Sequence, residues 1–362
     1  MRKTLYLHIG HFKTGTTALQ VFMKSNPSFL AKNDIAYAET RRNLSKHSAL
    51  AFSLYRAAGV KDLMHGYNNP LPPEQMWQDL FDEVRKSSQS RFVVSSEEFM
   101  RLGNFPKAAA LLGQIAKSAE DIDIRVIAYL RAPNSHLRSW YNQLVKMGKR
   151  IPKFNAAVTE VFEPVHYDYA LALRPWVTIF GADAVILRPY CEAHRDDGGL
   201  FRDFLSIYGV KLPDWRIQLP LRDPNPRIDD NLVELTRLMQ KAKMPDELMR
   251  RTLTRSKSYL QTNLSDESHS ETDALCDIRR KAQMGINELA EQFPEYSNDL
   301  AHLRAHLPKG DDPEANNGWR MTEFLLNELQ SLRSHMRQQN AKTRARIKEL
   351  ERALSEKDPS QK

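Results

Sequence analysis

Cysteine is almost absent from this chain, with two in 362 residues, Cys191 and Cys276. They stand far apart and without metal-ligand spacing, which argues against a disulfide-stapled scaffold or a cysteine-based zinc site and points to a reducing compartment. No apolar stretch approaches the roughly 20 residues that a membrane-spanning helix needs. The start, MRKTLYLHIG, is basic, but His8 and the lysine-bearing loop behind it interrupt any signal-peptide core. A cytoplasmic location and no transmembrane segment are therefore expected. None of the usual nucleic-acid recognition patterns is present either. What is there is a core-forming share of hydrophobic residues, 41%, with 27% charged and a net charge of +8. That charge is local: Arg333 to Arg352 holds seven Lys or Arg against two Glu, a net +5, which leaves +3 for the rest of the chain. The basicity belongs to the tail, and no specific nucleic-acid partner is expected.

Apolar residues at strand spacing run over Thr4–Ile9, RFVVS (Arg91–Ser95), IRVIAYL (Ile124–Leu130) and AVILRPY (Ala184–Tyr190). Between and after them, helical spacing links Leu19, Phe22 and Met23, which stop at Asn26-Pro27; then Met76, Trp77, Leu80, Phe81 and Val84; then Leu137, Trp140, Tyr141, Leu144 and Val145; then Leu200, Phe201, Phe204, Leu205 and Tyr208. Trp140 and Tyr141 sit at core spacing. Strands alternating with helices predict an α/β, P-loop-like three-layer fold, with a mainly parallel central sheet flanked by helices and a helical C-terminal region. The expected division is an α/β domain over 1–308, mainly helical over 214–308, a linker over 309–318, and a basic helix over 319–362. An interrupted apolar stripe on that helix (Met321, Phe324, Leu325, Leu329, Leu332, Met336, Ile347, Leu350, Leu354) predicts a packing element or a homodimer contact, with a basic surface-binding helix as the alternative.

The segment GHFKTGTT, residues 10–17, follows the first strand and opens the first helix. In the nucleotide-binding pattern G-x-x-x-x-G-K-[ST] a lysine follows the second glycine; here that position is Thr16, and the lysine, Lys13, lies inside the loop. A strand-to-helix loop still gathers backbone N–H groups and the positive helix end around an anion. Gly10 and Gly15 permit close approach, and Thr14, Thr16 and Thr17 add hydroxyls. The missing lysine counts against a nucleoside triphosphatase. A second anion site is expected at the end of the strongest strand, in YLRAPNSHLRSWYNQLVK: Arg131 emerges where the strand stops, and Ser139 follows eight residues later on the helix. Two anion sites on separate strand ends imply a ligand with phosphates at two places on its sugar.

HIGHFKTGTTALQ followed by YLRAPNSHLRSWYNQLVK resembles the sulfotransferase superfamily, in its bacterial branch related to carbohydrate sulfotransferases. Weaker similarity runs over RFVVSSEEF and VILRPYCEAHRDDGGLFRDFL and reaches NELAEQF, so that it covers most of residues 1–300. The resemblance implies 3'-phosphoadenosine-5'-phosphosulfate (PAPS) as donor, with no required metal. It implies that Lys13, Thr14, Gly15, Thr16 and Thr17 grip the 5'-phosphosulfate, that Arg131 and Ser139 take the 3'-phosphate, and that Lys13 stabilises the leaving group. An Arg-Lys-Gly element of cytosolic members is missing; Arg222 and Arg227 are expected as surface charges beside a proline-rich turn, with substitution for that element as the alternative.

A general base is also required. The candidates are Glu97 and Glu98 at the end of RFVVSSEEF, with His8 and His11 around the loop. Glutamate serves in several carbohydrate-directed members, which favours Glu97, with Glu98 behind it and a capping or salt-bridging carboxylate as the plainer role. His8 is expected to be packed and His11 to be a loop contact. His47 is expected at a helix start, with a place in the acceptor cleft as the alternative. The expected activity is sulfuryl transfer to a carbohydrate or glycolipid acceptor, its cleft built from Glu39–Pro72, Gly148–Tyr169 and residues after Asp214. The alternatives are an ATP-dependent P-loop phosphotransferase and an adaptor acting through the tail.

Overall fold

Along the first strand both alternating sets of side chains are covered: Leu5, Leu7 and Ile9 are buried on one face, and His8 is buried and Tyr6 partly buried on the other. A strand covered on both sides belongs in the middle of a three-layer α/β structure. The structure is a computed structural model, and it describes residues 2–61, 63, 67–68, 71–191, 194, 198–213, 228–262, 276–308 and 317–357.

Five strands, β1 (Lys3–Gly10), β2 (Ile35–Tyr37), β3 (Arg91–Ser95), β4 (Ile122–Arg131) and β5 (Val185–Tyr190), form one sheet in the order β2-β3-β1-β4-β5. Every pairing is parallel, with Tyr6 opposite both Val93 and Arg125. The helices are α1 (Thr16–Ser25), α2 (Pro27–Lys32), α3 (Ser48–Ala57), α4 (Pro73–Lys86), α5 (Pro106–Ala116), α6 (Pro133–Lys146), α7 (Phe154–Glu160), α8 (Tyr169–Phe180), α9 (Gly199–Ser206), α10 (Asp230–Lys241), α11 (Asp246–Thr262), α12 (Cys276–Gln292), α13 (Ser297–Arg304) and α14 (Asn317–Lys357). On one sheet face Leu19, Phe22 and Met23 of α1 and Leu200, Phe204 and Leu205 of α9 pack with Val93, Ile127 and Tyr129. The opposite face is covered by α4 against β1 and by α8 against β4 and β5. This is the α/β architecture expected from the alternation of strand and helix.

The parallel sheet puts the carboxyl ends of β1, β3 and β4 side by side at one edge. Connections leave β1 toward β3 on one side and reach β4 on the other, which is where such sheets hold ligands.

Some expectations are corrected. The short strand β2 was not legible, because three residues carry no usable period. The stretch Glu39–Pro72, expected as cleft loop, contains α3, whose Leu50, Ala51, Leu54 and Tyr55 are fully buried. The stretch Gly148–Tyr169 contains α7. The chain falls into two compact units, Met1–Ile228 with Glu271–Gly310, and Asp229–Ser270 with Asp311–Lys362. Within the second unit Tyr259 of α11 packs on Phe324 of α14, their rings 5.9 Å apart, and Arg255 pairs with Glu328 at 3.0 Å. Those contacts place α11 with the C-terminal helix. Most of the expected linker, 309–316, lies outside the described residues.

Candidate functional site

The loop after β1 turns through left-handed backbone three times, at Gly10 (φ 82°), Lys13 (φ 63°) and Gly15 (φ 78°). Glycine adopts this region freely, whereas a lysine held there is strained. At Gly15 a side chain would also collide with the core: a Cβ would stand 2.4 Å from Leu200 Cδ2. At Gly10 the Cβ would meet Thr16 Cγ2 at 3.0 Å and the Glu97 α-carbon at 3.3 Å. The glycines let the loop press against α9 on one side and against the end of β3 on the other. Gly15 caps α1 with no side-chain hydrogen bond, so no side chain of its own covers this helix end.

Lys13 and Arg131, 118 positions apart, meet here. Arg131 Nη1 donates to the Lys13 carbonyl oxygen at 3.4 Å, and Lys13 Nζ donates to Gln143 Oε1 at 3.1 Å. Gln143 lies on α6, one turn beyond Ser139, so the loop is held from both the end of β4 and the helix behind it. Arg131 is 6% exposed, its guanidinium lies 5.7 Å from the centre of the Tyr190 ring, and its carbonyl accepts from Tyr169 at 2.5 Å. Ser139 is buried, and its hydroxyl has no hydrogen-bond partner among the described residues. Thr14 is also buried; its hydroxyl donates to the His11 carbonyl at 2.6 Å, stiffening the loop from within rather than facing outward. Thr16 is buried at the start of α1, and Thr17 is partly exposed. Arg222 and Arg227 lie outside the described residues. Ile228 is tied to α6 by a reciprocal pair with buried Asn142, at 2.6 and 3.1 Å.

The two carboxylates part company at the short 3-10 helix Glu97–Asn104 that follows β3. Glu97 lies beside the loop, accepting from Gln20 Nε2 of α1 at 3.0 Å and pairing with Lys46 at 3.5 Å. Its side chain keeps 13% exposure. Glu98 turns into the core, fully buried, with both carboxyl oxygens unpartnered among the described residues. Burial first, and then the charge of Glu97, pushes its pKa up to about 8, so at neutral pH it is mostly protonated.

Histidines fill the underside of the loop. His11 is locked as one neutral tautomer: its Nδ1 accepts from the Phe12 N–H at 2.7 Å, and its Nε2 faces the Val165 carbonyl at 2.9 Å. Next to it, His136 Nε2 and His166 Nδ1 share a hydrogen bond of 3.0 Å, and Trp140 stacks on His166 at 4.4 Å. Burial lowers all three, His11 to about 4. The three rings place nitrogens within 4.8 Å of one another, close enough to face a metal ion. Both nitrogens of His11 already serve backbone groups, so the cluster reads as a hydrogen-bonded support. His8, packed against Tyr129 and Phe204, bonds Ser95 Oγ through Nδ1 at 2.8 Å. His47 is buried at the start of α3, bridging the Ala38 carbonyl and the Ser95 N–H, and so does not line a cleft. Trp140 and Tyr141 are core residues as expected.

Sequence reasoning missed Gln143 and the partnership of His136 with His166. The only signal for Gln143 is its place four residues after Ser139 on the same helix.

No protein-family model matches the chain. Among curated proteins, an uncharacterized protein of Archaeoglobus fulgidus is 32% identical over 127 residues, which are 34% of this chain and 32% of that protein; the chain thus spans about a third of that relative's length. Among solved structures, a sulfotransferase from Alicyclobacillus acidocaldarius is similar with a TM-score of 0.42 and 19% identity, over 69% of this chain and 100% of that one. Mouse sulfotransferase SULT7A1 complexed with PAP is similar with a TM-score of 0.35 and 13% identity, over 84% of this chain and 90% of that one.

Proposed function

We propose that this chain is a PAPS-dependent sulfotransferase that moves a sulfuryl group onto a hydroxyl or amine, with a carbohydrate or glycolipid as acceptor. The observation that carries this reading is the meeting of Lys13 and Arg131 at one sheet edge, the guanidinium against the lysine's own carbonyl, with Glu97 on the loop's other side. Two cations from distant segments beside an uncapped helix start suit an anion with charge at both ends.

The residues fit such a donor. The Ser139 hydroxyl is buried without a partner, a donor lacking its acceptor. Arg131 and Ser139 would hold the 3'-phosphate; Lys13 with the backbone of Thr14, Gly15, Thr16 and Thr17 would hold the 5'-phosphosulfate. When bound, PAPS supplies the sulfuryl group and a phosphate leaving group. Lys13 neutralises charge where it accumulates on the leaving oxygen, a preorganised stabilisation of the kind that dominates transfer reactions. Arg131, braced by Tyr190 and Tyr169, orients the far end of the ligand. The acceptor's proton passes to a Glu97 carboxylate oxygen, and Gln20 holds that side chain toward the loop. Glu98, fully buried and mostly protonated, is turned away from an acceptor. Lys46 beside Glu97, and exposed Lys146, Lys149, Arg150 and Lys153 beyond Gln143, favour a polar or acidic sugar.

The test is a calorimetric titration of the folded full chain with 3'-phosphoadenosine 5'-phosphate in chelator. The expected result is binding that Lys13→Ala and Arg131→Ala each weaken by about tenfold or more, the usual scale for charge-assisted hydrogen bonds. No binding, or binding only of ATP with magnesium, overturns the reading, and the second outcome gives the site to a phosphotransferase.

A further inference from the structure

From Leu329 to Arg352 every residue of α14 is exposed, a length of about 36 Å that no described residue buries. Helices in water owe most of their stability to packing of an apolar face, and here the face is present without a cover. Leu325, Leu329, Leu332 and Met336 are 43–61% exposed, as are Ile347 and Leu350 farther along. Their steps of four, three and four residues follow the seam of a two-stranded coiled coil. Between the two apolar blocks the seam carries polar Gln339 and Thr343, and the eleven-residue step from Met336 to Ile347 inserts four residues that locally unwind a heptad.

The charges beside the seam say what covers it. In a parallel pair of identical helices, the residue just before one seam position faces the partner's residue five places on. Arg346 and Glu351 stand at that offset, and so do Glu328 and Arg333, with opposite signs in each case. A helix that carries its own electrostatic complement at the register of self-pairing is built for a second copy of itself. An acidic surface would instead meet Glu349 and Glu351 at the basic end. In the single chain Glu328 pairs with Arg255, and Arg346 with Glu349 at 2.7 Å. The second of these is a same-helix contact between side chains 66% exposed, easily exchanged for a partner.

We propose that residues 325–351 of α14 form a parallel, in-register coiled coil with the same helix of a second chain, making the protein a homodimer. The polar layer at Gln339 and Thr343 sets the register, and the flanking Arg346 and Glu351 select the parallel direction. The pairing is independent of the sulfotransferase reading.

The test uses the full chain in light scattering and analytical ultracentrifugation. The expected mass is that of two chains at micromolar concentration, falling to one chain when Leu332→Glu and Ile347→Glu are combined, with the thermal unfolding of the body retained. In a Cys276→Ser background, oxidised Leu332→Cys is expected to give a covalent dimer, because only a parallel in-register pair brings residue 332 against itself. Arg346→Glu and Glu351→Arg are each expected to weaken the dimer tenfold or more, and together to restore it. A monomer at tens of micromolar overturns the proposal, as does a dimer that survives the paired glutamates. A monomer whose tail binds phosphatidylserine vesicles or duplex DNA also overturns it. A dimer with no covalent link at 332, or with no charge-reversal rescue, overturns the parallel register.

Discussion

Glu97 and Glu98 are neighbours in the chain and opposites in setting: the first keeps an ion pair and some exposure beside the Lys13 loop, and the second is sealed in the core with neither oxygen bonded. The turn into a 3-10 helix immediately after β3 is what separates them, since it sends consecutive side chains in different directions. A carboxyl kept protonated by burial beside one that keeps an ion pair at the loop leaves the second as the candidate base.

Glu97→Gln is therefore expected to keep the fold and the affinity for 3'-phosphoadenosine 5'-phosphate while lowering the rate of transfer by about 100-fold or more, the scale of a lost general base. A single-turnover assay against calorimetry on the same sample separates the two. Equal loss of binding and rate would make Glu97 a positioning group.

Glu98 gives a stability prediction with a definite direction. The unfolded chain ionises this carboxyl near 4.5 and the folded chain near 8, so its contribution is full below 4.5 and is lost as pH rises toward 8. Glu98→Gln removes that loss. Urea unfolding is expected to show the variant gaining on the parent between pH 5 and pH 8 by on the order of a few kcal/mol. Parallel pH profiles would mean that Glu98 is not held neutral.

Ser139 separates structure from function. Its hydroxyl is buried with no partner, so Ser139→Ala removes an unsatisfied polar group and is expected to leave the melting temperature unchanged or slightly raised. If the hydroxyl donates to a 3'-phosphate, the same change weakens nucleotide binding by about tenfold, the worth of a hydrogen bond to a charged group. A stable variant with undiminished affinity removes Ser139 from the site.

What could be read from the sequence follows the length scale of each signal. β1, β3, β4 and β5 repeat over five residues or more and declare themselves, whereas Ile35–Tyr37 is too short to show a period. Helix α8 is apolar on most sides and carries Pro175, which reads as a break; its start is fixed by Asp168, whose carboxylate accepts from the Leu171 N–H at 2.9 Å. The tight loop between β1 and α1 was legible because glycine and hydroxyl spacing is a local property. Arg131 against Lys13 was legible as a partnership of strand ends, because a parallel sheet aligns them. The histidine support was not, since His11, His136 and His166 lie on three segments that meet only when the 3-10 turn Pro164–His166 packs under the loop. Nor could the pattern of two adjacent glutamates say which one faces inward.

Those buried histidines fix how the protein responds to acid. His8, His11 and His47 are lowered to about 4 by burial, and His136 and His166 lie well below the ordinary 6.5, again chiefly by burial and then by the charges of neighbouring rings. The unfolded chain takes up protons below 6.5 while the folded chain refuses them, so stability present above 6.5 is lost as pH falls toward 4. At pH 5 each histidine held neutral costs about 2 kcal/mol relative to neutral pH. Since His11 braces the Lys13 loop through Phe12 and Val165 and stays neutral in the folded chain, nucleotide affinity of the folded protein is expected to hold across this window and to fall only as pH nears 4. Urea midpoints measured from pH 7.5 to 4.5 are expected to decline steeply below 6.5. In His166→Phe, which keeps an aromatic ring under Trp140, one titrating group is gone and the decline is shallower. A flat profile down to pH 5 would mean that these rings accept protons in the folded state, and that the support under the loop is looser than its hydrogen bonds indicate.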